Sequence, residues 1–346
     1  MILLSYDFRG LHPSRTLSSA GFATIRCLVN DFYGGTPLSI FSSQHLSKKY
    51  LSKYVLQDVS FTLSAGHFYI LMAPNGAGKS TVLRLIMGLE RPTAGTMSFL
   101  GSAPDQDGIP FHLRGQIGLV AETVEYDPSA SLMRFLKFYA GLFPTYDLTW
   151  LCAMAQVRNI DLTQKFQKLS RGQKMQIILL AELAKRPKLL LIDEITSVLD
   201  PYSRAFYLNL LSEFTRQGGT VLLTTNVIHE VESSASDLLI LRDGKVAWEA
   251  PISSIFEQFT KIMVAETLTE EVRSRFLVHK FYPLDRLQSE GRWMSILVGP
   301  SAALPLISLP YVKIHMGAED LFKYFFQSST EPTAEKKAEA YDLRAA

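Results

Sequence analysis

"FYILMAPNGAGKSTVLRLIMGL", residues 68–89, is the stretch whose reading decides the fold. Its first five residues are apolar and read as a buried strand. A glycine-rich loop follows at 73–81. The next residues place Val82, Leu83, Ile86 and Leu89 on one side of a helix. Strand, loop and helix in this order make a phosphate site out of a glycine pattern. Gly76 and Gly78 let backbone N–H groups converge on the β- and γ-phosphates, and the helix start adds partial positive charge. Lys79 brings an ammonium to the same phosphates. Ser80 offers a hydroxyl to Mg2+ and Thr81 one to the α-phosphate. Ala73, Pro74, Asn75 and Ala77 complete the loop. Ala73 stands where the pattern usually opens with glycine. One added methyl predicts a slight backbone adjustment, with binding kept.

"LLLIDE" (189–194) supplies carboxylates. Four apolar residues bury a strand and present Asp193 at its C-terminal end, where open α/β sheets hold their ligands. Asp193 is expected to hold Mg2+ through water, and Glu194 to act as the general base on the attacking water. On its own this could be a strand ending in solvated acids. The phosphate loop upstream favours the catalytic reading.

Outward from these two stretches, strands and helices alternate from about residue 39, as in a layered α/β domain. "IFSSQHLSKKY" reads as a first strand, and "IGLVAE" (117–122) and "TVLLTT" (220–225) as two more. Residues from about 123 to 170 read as mainly helical and rich in aromatics. "DLLILRDGKVAWEA" reads as a hairpin turning at Asp243-Gly244. The expected division is a non-core extension at 1–38, a main domain at 39–250, a small accessory domain at 251–327 and a disordered tail at 328–346. The extension reads either as a flexible arm or as the product of a start site placed too far upstream. The apolar run Trp293 to Val312 is interrupted by Pro300, Pro305 and Pro310, so it reads as strand, turn and strand in preference to a membrane span. A formal net charge of +2 gives no cause to expect a nucleic-acid partner. Cys27 and Cys152 fit neither a disulfide framework nor a zinc site and suit a reducing compartment.

"LSRGQ" (169–173) narrows the class. Ser170 sits where a helix N-cap belongs, ahead of "RGQKMQIILLAELAK". Taken in order, "APNGAGKST", "VAE", "LSRGQ", "LLLIDE" and "TSVLDP" resemble the ATP-binding cassette subunits of ABC transporters over roughly residues 40 to 250. The resemblance implies an α/β P-loop NTPase fold: a RecA-like core, an antiparallel β subdomain and a helical signature subdomain. The part beyond is expected to be a small α+β C-terminal domain. It also implies that ATP and Mg2+ are bound and ATP hydrolysed, and that Ser170, Gly172 and Gln173 close on the ATP of a second cassette subunit, homo- or heterodimeric. Arg171 replaces the first glycine of the commoner signature. Tyr50 matches the aromatic that stacks on adenine, with Tyr54 close enough to compete. Glu122 matches a residue that touches metal and attacking water. Asp200 matches the loop that crosses the dimer interface, with Val198 where glycine is usual.

The same resemblance implies transmembrane permease subunits as partners and a peripheral place on the cytoplasmic face of the membrane. "LFPTYD", the "LSRGQ" variant and the short helical subdomain point to cassettes serving exporters. Of Phe135, Phe138, Tyr139, Phe143 and Tyr146, most are expected in the core and a few exposed toward a permease. Asn226 stands where the family usually has a histidine at the γ-phosphate, and His229, three residues on, is expected to point away. Asparagine donates a hydrogen bond but cannot become cationic, so the expectation is a competent but slow ATPase. The alternatives are an ATP-gated regulatory cassette with little hydrolysis and a soluble ABC protein outside transport.

Overall fold

The computed structural model describes residues 39–103, 109–121, 127, 129–194, 199–225, 233–254, 260–265, 278–283, 293–298, 312–314 and 320. Glu122, Val198, Asn226 and His229 lie outside the described residues, as do 1–38 and 328–346. The chain divides into two units, with the break between Glu249 and Ala250.

Among the described residues the first unit holds two sheets. β1 (Ser39–Tyr50), β2 (Lys53–Ser64) and β4 (Ala94–Phe99) form an antiparallel sheet in the order β2-β1-β4. β3 (Phe68–Met72), β5 (Ile117–Val120), β6 (Leu189–Asp193), β7 (Thr220–Thr225), β8 (Asp237–Arg242) and β9 (Lys245–Pro251) form the second, in the order β5-β6-β7-β3-β8-β9. From β5 through β8 its neighbours run parallel. Every residue of β3 and β7 is buried, as strands in the interior of a parallel sheet are, and β7 buries three threonines with its aliphatic residues. Asp243 and Gly244 between β8 and β9 both take positive φ, 51° and 73°, which a two-residue hairpin turn needs.

Among the described residues the first unit has the helices α1 (Lys79–Ile86), α2 (Phe111–Arg114), α3 (Leu132–Leu142), α4 (Leu148–Val157), α5 (Arg171–Ala184) and α6 (Pro201–Arg216). α1 buries Val82, Leu83, Leu85 and Ile86 in a core shared with Leu46, Leu56 and Val59 of the antiparallel sheet. Each large aliphatic side chain so buried contributes roughly 1.5–3 kcal/mol. The expectation that Leu89 continues this face is corrected. The helix stops at Ile86, Gly88 turns the chain with φ 68°, and Leu89 is 64% exposed.

β5 lies at the edge of its sheet, and side chains of α5 meet its open side. Glu182 Oε2 accepts the Leu119 N–H at 3.1 Å, and Lys185 Nζ donates to the Ile117 carbonyl at 3.2 Å. The two charges pair at 2.6 Å, and Glu182 Oε1 accepts the Tyr139 hydroxyl at 2.7 Å. An edge that would otherwise offer unpaired backbone groups is thereby closed, and α3, α5 and β5 are tied together.

In the second unit, β10 (Thr260–Ala265), β11 (Val278–Pro283), β12 (Trp293–Val298) and β13 (Val312–Ile314) form an antiparallel sheet in the order β11-β12-β10-β13. Both ends of the apolar run from Trp293 to Val312 are therefore strand. They do not pair with each other; each pairs with β10. Most of "AEDLFKYFFQ" lies outside the described residues, but its Asp320 pairs with Lys261 at 2.7 Å.

Candidate nucleotide site

The parallel register sets the site. Met72 aligns with Thr225, and Asp193 with Thr224, so the C-terminal ends of three adjacent strands, β3, β6 and β7, come level. The 73–81 loop leaves one of these ends and the Asp193-Glu194 pair another.

Gly78, at the start of α1, has φ 103°, and a Cβ there would lie 2.9 Å from Leu56 Cδ2 and 3.1 Å from Val55 Cγ1. A side chain there would be strained by the positive φ and would force the loop or the Leu56 and Val55 methyls to shift. Gly76 has open space around it but φ 77°, so its need is conformational alone. α3, α4, α5 and α6 are capped by the side chains of Ser131, Asp147, Ser170 and Asp200. α1, like the four-residue α2, has no side-chain cap. The helix dipole favours an anion at the start of α1.

Lys79 is 6% exposed, and its Nζ donates to the carbonyls of Ala73 at 2.8 Å and Pro74 at 3.4 Å. Its charge is answered by Glu194 Oε1 at 3.1 Å, on a side chain 39% exposed. Glu194 holds φ 48° while its N–H donates to the Thr224 carbonyl at 3.2 Å. A non-glycine residue in that region costs of order 1–3 kcal/mol, which the surrounding contacts must offset. Beside it, Asp193 accepts from Ser80 Oγ at 2.9 Å through one oxygen and from Thr224 Oγ1 at 2.7 Å through the other. Thr81 is buried one residue further along α1, and Asn75 is exposed in the loop. The structure thus brings together the loop, Lys79, Ser80, Asp193 and Glu194. Sequence reasoning missed Thr224, although "TT" at the end of an otherwise aliphatic strand was a visible sign of polar work there.

The remaining expected residues lie elsewhere. The Tyr50 hydroxyl donates to Glu90, and Lys48 Nζ sits 5.0 Å from the Tyr50 ring centroid. Burial alone would raise the Glu90 carboxyl, but Tyr50 and the Lys48 ammonium bring it below its ordinary value. Tyr54 is exposed on β2, next to the Val55 that touches Gly78, with Lys49 Nζ 5.3 Å from its ring centroid. Ser170 and Gln173 form a reciprocal cap. Gln173 N–H donates to Ser170 Oγ at 3.2 Å, and Ser170 N–H to Gln173 Oε1 at 3.0 Å. Gly172 stands in the same first turn. Asp200 caps α6 by accepting the Ser203 N–H at 2.9 Å, and that bonding holds its carboxyl below the usual carboxylate range.

In the helical segment the aromatics are mostly packed on one another. Tyr139 lies 5.3 Å from Phe135, 5.1 Å from Phe143 and 5.8 Å from Tyr146, centroid to centroid. Burial pushes the Tyr146 phenol well up. Phe138 alone of the five is exposed, at 66%, with Leu142 exposed one turn on.

Comparison with known proteins agrees with this geometry. The family model described as "ABC transporter" matches residues 56–197. The Nod factor export ATP-binding protein I of Rhizobium leguminosarum bv. viciae is 33% identical over 219 residues, 62% of this chain and 70% of that protein. The Methionine import ATP-binding protein MetN of Bacillus subtilis (strain 168) is 30% identical over 281 residues, 77% of this chain and 82% of that one. A solved ATP-binding subunit of an ABC transporter matches with TM-score 0.58 at 26% identity, covering 63% of this chain and 92% of that structure. A dimeric cassette in a post-hydrolysis state with ADP and Pi matches with TM-score 0.56 at 23% identity, covering 61% and 98%, a likeness of fold alone. The chain belongs to the ABC transporter family as a nucleotide-binding subunit. It is an ATPase by class. Among the described residues no helix is long and apolar enough to cross a membrane.

Proposed function

We propose that this subunit closes on a second cassette around two MgATP and uses their hydrolysis to drive a separate transmembrane permease from the cytoplasmic face of the membrane. The observation that carries this is the Lys79 ammonium, held between two loop carbonyls and Glu194, next to the Ser80–Asp193 pair. The loop N–H groups and Lys79 bind the phosphates. An arriving γ-phosphate replaces Glu194 as the partner of Lys79. The freed carboxylate then faces the water and takes its proton as the water oxygen bonds to phosphorus; the bond to the bridging oxygen breaks and ADP leaves. Ser80 and Asp193 fit Mg2+: a hydroxyl and a carboxylate, hard oxygen donors already 2.9 Å apart, suit an ion that takes its remaining ligands from phosphate and water. When bound, the ion neutralises charge building up on the phosphate oxygens. Tyr50 or Tyr54 offers the adenine a ring. Glu122 extends the site by its place in the sequence, and Asn226 gives the γ-phosphate a neutral donor.

Closure on the partner uses Ser170, Gly172 and Gln173 at the start of α5 and Asp200 at the start of α6. Phe138 and Leu142 form the face offered to the permease. Export is the proposed direction, supported by the 33% identity to a protein named for Nod factor export. Import is the second reading, favoured by the 281-residue span of the match to the methionine import protein. Steady-state MgATP hydrolysis by the purified chain, with Glu194→Gln as the blank, tests the proposal. Turnover above that blank supports an engine. ATP binding with no turnover, alone or with a copurifying permease, supports the regulatory alternative.

A further inference from the structure

Arg158 ends α4 and reaches the aromatic side chains of α6. Its guanidinium carbon lies 5.2 Å from the ring centroid of Tyr202, 4.9 Å from that of Phe206 and 5.8 Å from that of Tyr207. Its Nη2 donates to Ser203 Oγ at 2.6 Å, and its buried Nε has no hydrogen-bond partner among the described residues. Ser203 is only 2% exposed and is shared. Gln176 Nε2 of α5 donates to the same hydroxyl at 3.2 Å, and the Ser203 N–H closes the cap on Asp200. Gln176 Oε1 accepts the Tyr207 hydroxyl at 3.4 Å. One serine therefore joins α4, α5 and the first turn of α6, the turn reached by the chain that leaves Glu194.

Packing alone does not call for an arginine here. A guanidinium among rings, with an unanswered N–H, carries a desolvation cost that leucine or methionine would avoid. Three rings and one hydroxyl do fix its direction, which an aliphatic side chain cannot. We propose that Arg158 is a positioning residue. It locks the Leu199–Ser203 turn to α4 and α5, so that the Ser170 helix start and the first turn of α6 move as one body when two cassettes close. The inference rests on the proposed closure.

The test uses the full chain with Arg158→Met, Arg158→Lys and Ser203→Ala. Without nucleotide, Arg158→Met is expected to raise hydrogen–deuterium exchange in the first turns of both α5 and α6, with a single cooperative melt retained. With MgATP, turnover is expected to fall about tenfold while KM changes by less than about twofold. Arg158→Lys recovers part of that loss, since it keeps the cation and loses the planar fork. Ser203→Ala acts in the same direction and covers the case in which Arg158→Met does not fold. Parental turnover in Arg158→Met, exchange raised in α4 alone, or turnover lost together with nucleotide affinity and melting temperature would each overturn the proposal. A parent chain that hydrolyses nothing counts against the proposed function, while the exchange pattern still decides the role of Arg158.

Discussion

Two lysine–glutamate pairs, close in distance and opposite in character, divide this molecule into what reacts and what holds. Lys79 and Glu194 meet at 3.1 Å at the ends of parallel strands, and Lys185 and Glu182 at 2.6 Å against the edge of the same sheet. Both lysines are buried. The carboxylates differ: Glu194 is 39% exposed, whereas Glu182 is 8% exposed. Glu194 also holds a left-handed backbone, and Lys79 rests otherwise on carbonyls that a phosphate can compete with. Glu182 answers a backbone N–H, an ammonium and a phenol at once, and Lys185 spends a further proton on a carbonyl. The first pair is open and strained, as a group that must change partners should be. The second is saturated, which is the condition under which a buried ion pair is tolerable.

Removing one charge from each pair should therefore break different things. Glu194→Gln is expected to lower MgATP turnover by roughly 10²–10⁴-fold with nucleotide still bound, the scale of a lost general base. Turnover kinetics beside a nucleotide-binding titration check this; a small loss would move the base elsewhere. Lys185→Met strands the Glu182 carboxylate and should cost about 3–5 kcal/mol of stability. Chemical denaturation reads that, and Lys185→Met combined with Glu182→Leu should recover much of it, because the uncompensated charge is then gone. Equal destabilisation by Lys79→Met and Lys185→Met would erase the distinction between the pairs.

Asn226→His sharpens the comparison from the reactive side. A cationic contact to the γ-phosphate should raise turnover roughly ten- to a hundredfold, equivalent to about 1–3 kcal/mol. Unchanged turnover in a background where Glu194→Gln abolishes it would show that Asn226 does not limit the rate.

The reactive half was legible in the sequence because local rules govern it. A glycine loop between strand and helix, aliphatic runs ending in Asp193, and Ser170 three residues before Gln173 each dictate structure within a few residues. The holding half was not. Glu182 lies 63 residues from the Leu119 N–H it accepts and 43 from Tyr139, and Arg158 is 45 residues from Ser203. Such contacts depend on which sheet edge a helix covers, and residue spacing carries no record of that. Glu182 gave one faint signal, as a charge in a helix whose neighbours are aliphatic. Leu89 shows the opposite error. The apolar pattern continued past Ile86, but Gly88 ended the helix before Leu89 could use it.

The smallest change probes how far the second pair reaches. Tyr139 sits on α3 beside the exposed Phe138, and its hydroxyl is the contact that carries Glu182 into the helical segment. Tyr139→Phe deletes that hydroxyl and keeps the ring among Phe135, Phe143 and Tyr146. Glu182 retains Lys185 and the Leu119 N–H, so no buried charge is stranded. A single hydrogen bond to a charged group, lost without a cavity, should cost about 1.5–3 kcal/mol and lower the melting temperature by several degrees. Turnover of the isolated subunit should stay as it was, since nothing at Lys79 or Glu194 has moved. If turnover falls while the melting temperature holds, the closed pair is part of the engine, and the line between holding and reacting has to be redrawn through α5.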